Sequence, residues 1–156
     1  MKVTEILTKE FIICELSSSD KEEAISELIE LFNNDPRVLN LDKVKEAVFE
    51  REKIMSTGVG KGFAIPHGKT DAVTEIIAAF GRKSDGIDYD ALDGNPVNLV
   101  FLLVGKETTI SAHIKLLSRI SRMMNKDDFR QRLLSAGTSE EIFNVFLEEE
   151  KNYQEI

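Results

Sequence analysis

The chain contains two histidines, His67 and His113, so any imidazole chemistry must use one or both of them. His67 lies between Pro66 and Gly68 at the end of the short apolar run Phe63-Ala64-Ile65, inside the glycine-rich stretch STGVGKGFAIPHGK from Ser56 to Lys69. Glycines at that density let backbone N–H groups approach a ligand closely. An imidazole with its ordinary pKa of ~6.5 is largely uncharged at neutral pH, and can attack phosphorus through one nitrogen while the other is fixed by a hydrogen bond. From its setting alone, His67 is either such a nucleophile or a turn histidine with no chemical role. His113 poses a different question. On a helical wheel at ~100° per residue, residues 109–124 place Ile110, Ile114, Leu117, Ile120 and Met124 on one face, with His113 among them and Lys115, Arg119 and Arg122 opposite. It is a core histidine satisfied by a backbone carbonyl, or a first-turn side chain reaching toward a cleft. Arg51 extends the apolar stripe of Val44 and Val48, so it either snorkels at a helix end beside Glu50 and Glu52 or clamps an anion with its planar fork of donors.

Other chemistries fail on spacing. A phosphate-cradling G-x-x-x-x-G-K-[ST] loop is absent, because Gly60-Lys61 is preceded by Met55 at the required glycine and Gly68-Lys69-Thr70 by Phe63. A dinucleotide G-x-G-x-x-G pattern breaks at the same Phe63, and there is neither a G-x-S-x-G elbow nor an H-E-x-x-H zinc motif. The expectation is no metal and no organic cofactor. Lys and Arg total 20 against 28 Asp and Glu, and a formal charge of -8 excludes a broad basic field for nucleic acid or anionic lipid. The single cysteine, Cys14 in the run Phe11-Ile12-Ile13-Cys14, excludes an internal disulfide and reads as a small core residue in a reducing compartment. No stretch approaches the ~20 apolar residues of a membrane span and the N-terminus carries acids, so a cytoplasmic protein without membrane insertion is expected.

These residues need a scaffold, and 156 residues with 42% hydrophobic content suit one domain. Ser19 and Glu22 form a capping-box pair ahead of Ile25, Leu28, Ile29 and Phe32, which predicts a helix from Ser19 to Phe32, stopped by Asn33-Asn34-Asp35-Pro36. A second helix starts at Asn40 and runs to about Lys53. Ser56 to Lys69 reads as loop, short strand at Phe63-Ala64-Ile65, then loop. Val-, Ile- and Phe-rich runs at 76–80 and 97–104 predict strands covered on both faces, with a polar turn region between them and an extra short strand at Ile87-Asp88-Tyr89. Helices follow over 109–124, 127–135 and 139–149, and 151–156 form a frayed tail. The fold class is therefore α/β: one layered domain over 1–150, a mixed sheet flanked by helices.

Arg51-Glu52, Ser56-Thr57-Gly58-Val59-Gly60, GFAIPHGK from Gly62 to Lys69, LDGNPVNLVFLL, and HIKLLSRISRMM from His113 to Met124 together resemble the IIA component of the bacterial phosphoenolpyruvate-dependent sugar phosphotransferase system, in its fructose/mannitol/nitrogen-regulatory class. The likeness covers nearly the whole chain. It implies a phosphotransferase acting through a phosphohistidine intermediate: His67 accepts a phosphoryl group at Nε2 from the phosphocarrier HPr or a paralogue and passes it to a IIB domain for sugar transport. It also implies that His113 stabilises the transferring group and that Arg51 neutralises its oxygens. Ser56, Thr57 and the backbone at Gly58 and Gly60 are implied to shape the same anion site. A regulatory nitrogen-type protein, which controls partners through its phosphorylation state, is the alternative the resemblance allows. One departure stands out: members often carry proline and acidic residues after the central strand, where this chain has Gly105-Lys106-Glu107.

Overall fold

The computed structural model describes residues 1–154. In chain order the elements are α1 (Val3–Ile6), β1 (Ile12–Ile13), α2 (Lys21–Glu30), α3 (Leu41–Ile54), β2 (Phe63–Ala64), β3 (His67–Lys69), β4 (Ile77–Ile87), β5 (Val97–Gly105), α4 (Ile110–Met124), α5 (Asp127–Ser135) and α6 (Ser139–Glu150). The strands form one sheet in the order β1-β4-β5-β2, with β3 also on β5. β4 and β5 are antiparallel while β1, β2 and β3 each pair in parallel, so the sheet is mixed as expected.

The period of two along the central strands divides the core. Ala78 and Phe80 of β4 and Leu99, Phe101 and Leu103 of β5 face a core closed by α4, α5 and α6 through Leu116, Ile120, Phe129, Leu133 and Phe146. Their neighbours Ile77, Ala79, Val100, Leu102 and Val104 face a second core closed by α2 and α3 through Ile25, Leu28, Val44 and Val48. Phe146 anchors the first core, its ring meeting those of Phe80, Phe101 and Phe129 edge-on at 5.2, 5.8 and 5.3 Å. No helix among the described residues is long and apolar enough to cross a membrane.

Local signals set most boundaries, with two corrections. Asp20, not Ser19, caps α2: its carboxylate accepts Glu23 N–H at 2.9 Å, Glu23 reaches back to Ser19 N–H at 3.0 Å, and the helix ends at Glu30. Ser19 is drawn instead onto the edge of the sheet, where its carbonyl accepts Asp88 N–H. The second correction is that β4 does not stop at Phe80 but runs through Gly81 to Ile87, with a register shift between Arg82 and Ile87. Polarity disguised this half of the strand. Arg82 is buried because its guanidinium caps the end of α5 at the carbonyls of Leu133 and Ala136, while Lys83, Ser84 and Asp85 lie toward solvent. In the expected tail, Tyr153 is half-buried against the guanidinium groups of Arg119 and Arg122; residues 155 and 156 lie outside the described part.

Gly68 joins the layers. A β-carbon there would sit 3.0 Å from Val48 N and 3.1 Å from the Ala47 carbonyl carbon, so α3 rests directly on the backbone of β3. Gly68→Ala should therefore force backbone apart and destabilise the protein by about 1–3 kcal/mol. Urea unfolding with an unchanged m value is the measurement that checks it.

Candidate active site

β2 and β3 are one edge strand interrupted by two residues. Phe63 and Ala64 pair with Leu99 and Val100, and His67, Gly68 and Lys69 pair with Leu103, Val104 and Gly105, so the register offset is the same on both sides of the break. Pro66 has no N–H to give the ladder, and its carbonyl accepts Leu103 N–H at 3.1 Å. Ile65 is left with both backbone groups turned elsewhere: its N–H reaches the Thr57 carbonyl at 3.3 Å, and its carbonyl lies 2.8 Å from His67 Nδ1. A carbonyl only accepts, so Nδ1 carries the proton and Nε2 keeps its lone pair. His67 is thus a strand residue held in one tautomer, not the loop residue that glycine content suggested.

Strand parity points His67 to the same sheet face as Phe63 and Ile65, which is the face covered by α4. There it meets His113, with ring centroids 5.9 Å apart. His113 is 2% exposed, and among the described residues neither of its ring nitrogens has a hydrogen-bond partner. The backbone carbonyl expected for a satisfied core histidine is not there. Gly105 makes room for it, since a β-carbon at that position would stand 2.9 Å from His113 Nδ1. The departure noted after the central strand is thus a seat for the second histidine, a role that motif spacing could not reveal.

The rest of α4 differs from the wheel. Ile110 and Ile114 are exposed, the latter by 56%, whereas Arg119 is buried and pairs with Glu150 of α6 at 3.1 Å. Glu150 also accepts the N–H groups of Val3 and Thr4, so one buried carboxylate ties α1, α4 and α6. A helical wheel cannot register a partner supplied from 31 residues away.

His67 and His113 open into a cleft of about 480 Å³ between the end of α3 and the start of α4. Arg51 and Lys69 line it with them, as do Glu50 and Glu107 and the apolar Ile54, Ile114 and Leu117. Arg51 sits at the helix end, one guanidinium N–H capping α3 at the Met55 carbonyl 2.9 Å away, and its side chain borders the cleft. Lys69, two residues along the strand from His67, is a cation that the motif contained but that spacing did not single out.

Burial sets the charge state of both rings. His67 is pushed below the ordinary histidine value by desolvation, opposed by its bond to Ile65, with Arg51 lowering it further. Burial pushes His113 down to about 4, with the charges of His67 and Lys69 acting in the same direction. Both imidazoles are neutral at pH 7. A neutral Nε2 nucleophile beside a buried neutral imidazole and two cations can accept a compact anionic group.

The four residues expected to shape the anion site lie apart from the cleft lining. Ser56 Oγ accepts Gly58 N–H at 3.2 Å. Thr57 is buried, donating its N–H and its hydroxyl to Glu52 at 2.8 and 2.6 Å. Gly58 gives close approach to Tyr89 and Ala91, and Gly60 has a φ of 152° beside Asp93. Of the four, Thr57 and Gly60 meet the strand that carries His67, their carbonyls accepting Ile65 and Phe63 N–H.

Residues 5–149 match the family described as phosphoenolpyruvate-dependent sugar phosphotransferase system, EIIA 2. The chain is 38% identical over 151 residues to the fructose-specific EIIA component of Haloferax volcanii, covering 95% of this chain and 98% of that protein. It is also 38% identical to the fructose-specific EIIABC component of Bacillus subtilis over 97% of this chain, which spans 24% of that longer protein. The crystal structure of nitrogen regulatory protein IIA-Ntr from Neisseria meningitidis superposes with a TM-score of 0.86 at 31% identity, covering 92% of this chain and 98% of that one.

The electrostatics predict an acid-sensitive fold. Between the unfolded histidine value of ~6.5 and about 4, the unfolded chain binds a proton at His113 that the folded chain refuses, so stability falls as pH drops through that window. Lowering pH from 7.5 to 4.5 should cost roughly 2–3 kcal/mol through this residue. In His113→Leu that component should vanish, which urea unfolding of both proteins at the two pH values would read.

Proposed function

The chain belongs to the EIIA 2 family of the phosphoenolpyruvate-dependent sugar phosphotransferase system, and from that premise we propose that it is a phosphohistidine carrier of sugar uptake. It accepts a phosphoryl group on His67 from phospho-HPr and delivers it to a IIB component. The observation that carries this reading is the Nδ1 to Ile65 carbonyl contact at 2.8 Å, which turns an unprotonated Nε2 toward a cleft shared with His113 and Arg51. The Nε2 lone pair forms a new bond to phosphorus as the bond to the donor breaks, and the bonding pair leaves with the donor. The proton stays on Nδ1, donated to the Ile65 carbonyl, throughout. Negative charge on the transferring oxygens falls to the remaining N–H groups of Arg51, to Lys69 and to His113, whose ring nitrogens lack partners among the described residues.

The name of the Bacillus relative joins A, B and C components, and this supports a IIB acceptor. Likeness to IIA-Ntr supports a second role, control of a partner protein by phosphorylation state at His67. Transfer from the phosphorylated chain to a fructose-type IIB favours uptake. Failure to transfer, with a partner captured by only one phosphorylation state, favours regulation.

Incubation with phosphoenolpyruvate, enzyme I and HPr should add one phosphoryl group, located on His67 by mass spectrometry. His67→Ala should add none, and uptake equal to wild type would overturn the assignment. His113→Ala should slow transfer by about 10–100-fold with little change in HPr affinity, because its interaction develops with the moving charge. With a net charge of -8, association with a basic carrier should weaken steadily as salt rises, a trend that titration calorimetry at several ionic strengths would follow.

A further inference from the structure

Glu52 is a charged residue buried for no reason that the cleft supplies. It follows Arg51 on α3, is 6% exposed, and does not line the cleft. Its carboxylate accepts four donors: Thr57 N–H at 2.8 Å, the Thr57 hydroxyl at 2.6 Å, the Tyr89 hydroxyl at 3.3 Å, and Lys21 Nζ at 3.2 Å. A buried carboxylate costs several kcal/mol in desolvation unless its lone pairs are filled, and here they are filled by groups from three separate segments. Two of the four bonds go to Thr57, which thereby cannot rotate or translate. The Thr57 carbonyl in turn receives Ile65 N–H, and the Ile65 carbonyl receives His67 Nδ1.

We propose that Glu52 is a positioning residue for His67, fixing through Thr57 and Ile65 the carbonyl that selects the Nδ1–H tautomer and leaves Nε2 unprotonated. The proposal rests on the reading of His67 as the phosphoryl acceptor. Its physical content is separate, because a tautomer exists whether or not phosphoryl transfer follows. Ile65 is an alternate residue of the edge strand, its N–H and carbonyl bonded to Thr57 and His67 and not to β5, so these contacts hold its peptide groups. Thr57 supplies the first of them, and Glu52 holds Thr57. The arrangement also links the two sides of the cleft, since Glu52 and Arg51 are consecutive on α3 while His67 lies on the strand beneath.

The test is a long-range proton–nitrogen NMR spectrum of the unphosphorylated protein at pH 7.5. In the wild type, His67 should show a protonated Nδ1 and an unprotonated Nε2; the opposite tautomer would overturn the proposal at once. Glu52→Gln replaces one of the two accepting oxygens with an NH2 donor and removes the charge facing Lys21, so the pair of Thr57 bonds loses its present pattern and His67 should become a tautomer mixture. Glu52→Asp keeps the charge but falls one methylene short of Thr57, and should behave the same way. That outcome separates positioning from a purely electrostatic effect, in which Asp would preserve the wild-type spectrum. In either folded variant, the kcat for phosphoryl acceptance should fall about tenfold with the KM for HPr unchanged. Wild-type tautomer and wild-type kcat in a folded variant would refute the role of Glu52. Absence of phosphoryl on His67 in the wild type would instead refute the proposed function and leave the spectrum to decide the role of Glu52.

Discussion

A single hydrogen bond, from His67 Nδ1–H to the carbonyl of Ile65 two residues before it, is the constraint around which this protein is arranged. It exists because alternate residues of an edge strand turn their backbone groups away from the neighbouring strand, and Ile65 is one of these. Pro66, the next residue, keeps its carbonyl on Leu103 N–H, which leaves the carbonyl of Ile65 facing the open side of the edge. Proline, which cannot donate, omits one ladder bond here, and the carbonyl before it serves a side chain. The resumed strand then fixes the direction of the ring, since parity places His67 on the α4 face and Gly68 on the α3 face.

Two glycines complete the arrangement by what they omit. Gly68 lets α3 lie on the strand, which brings Arg51 to the cleft, and Gly105 lets His113 lie against the neighbouring strand. The consequence is electrostatic. Two imidazoles whose ring centres are 5.9 Å apart, in apolar surroundings and near Arg51 and Lys69, both shed their protons. Burial is the main cause, and Arg51 at His67 and Lys69 at both rings push in the same direction, a setting that disfavours a proton and favours an anion.

Much of this was legible in the residues. His67 was conspicuous because Pro66 and several glycines surround it, and Arg51 because it continues an apolar stripe. The layered α/β class followed from helical periods on either side of two apolar runs. What could not be read was whatever depends on a partner distant in sequence. The second half of β4 looked like polar turn because Arg82 finds its acceptors on α5, and Arg119 looked solvent-facing because Glu150 was out of view. The resemblance places Thr57 at the anion site, whereas in the fold its N–H and hydroxyl are engaged by Glu52, five residues back. Gly105 could be seen only as a departure from a pattern, since the side chain it accommodates arrives from the following helix.

The contact between α3 and Gly68 has a further consequence, for time scale. A helix seated so near the strand that a β-carbon at Gly68 would stand 3.0 Å from Val48 N has no room to slide independently of the strand beneath it. Arg51 and His67 are therefore borne by a single rigid body, and their spacing fluctuates with the packed core and not with the loops. The dipoles and charges that a transferring group meets are oriented once, as the chain folds, so little reorganisation of the surroundings is left for each turnover. For the carrier role proposed above, such stiffness is an advantage, because a site that relaxed around its cargo would bind it too well to let it go.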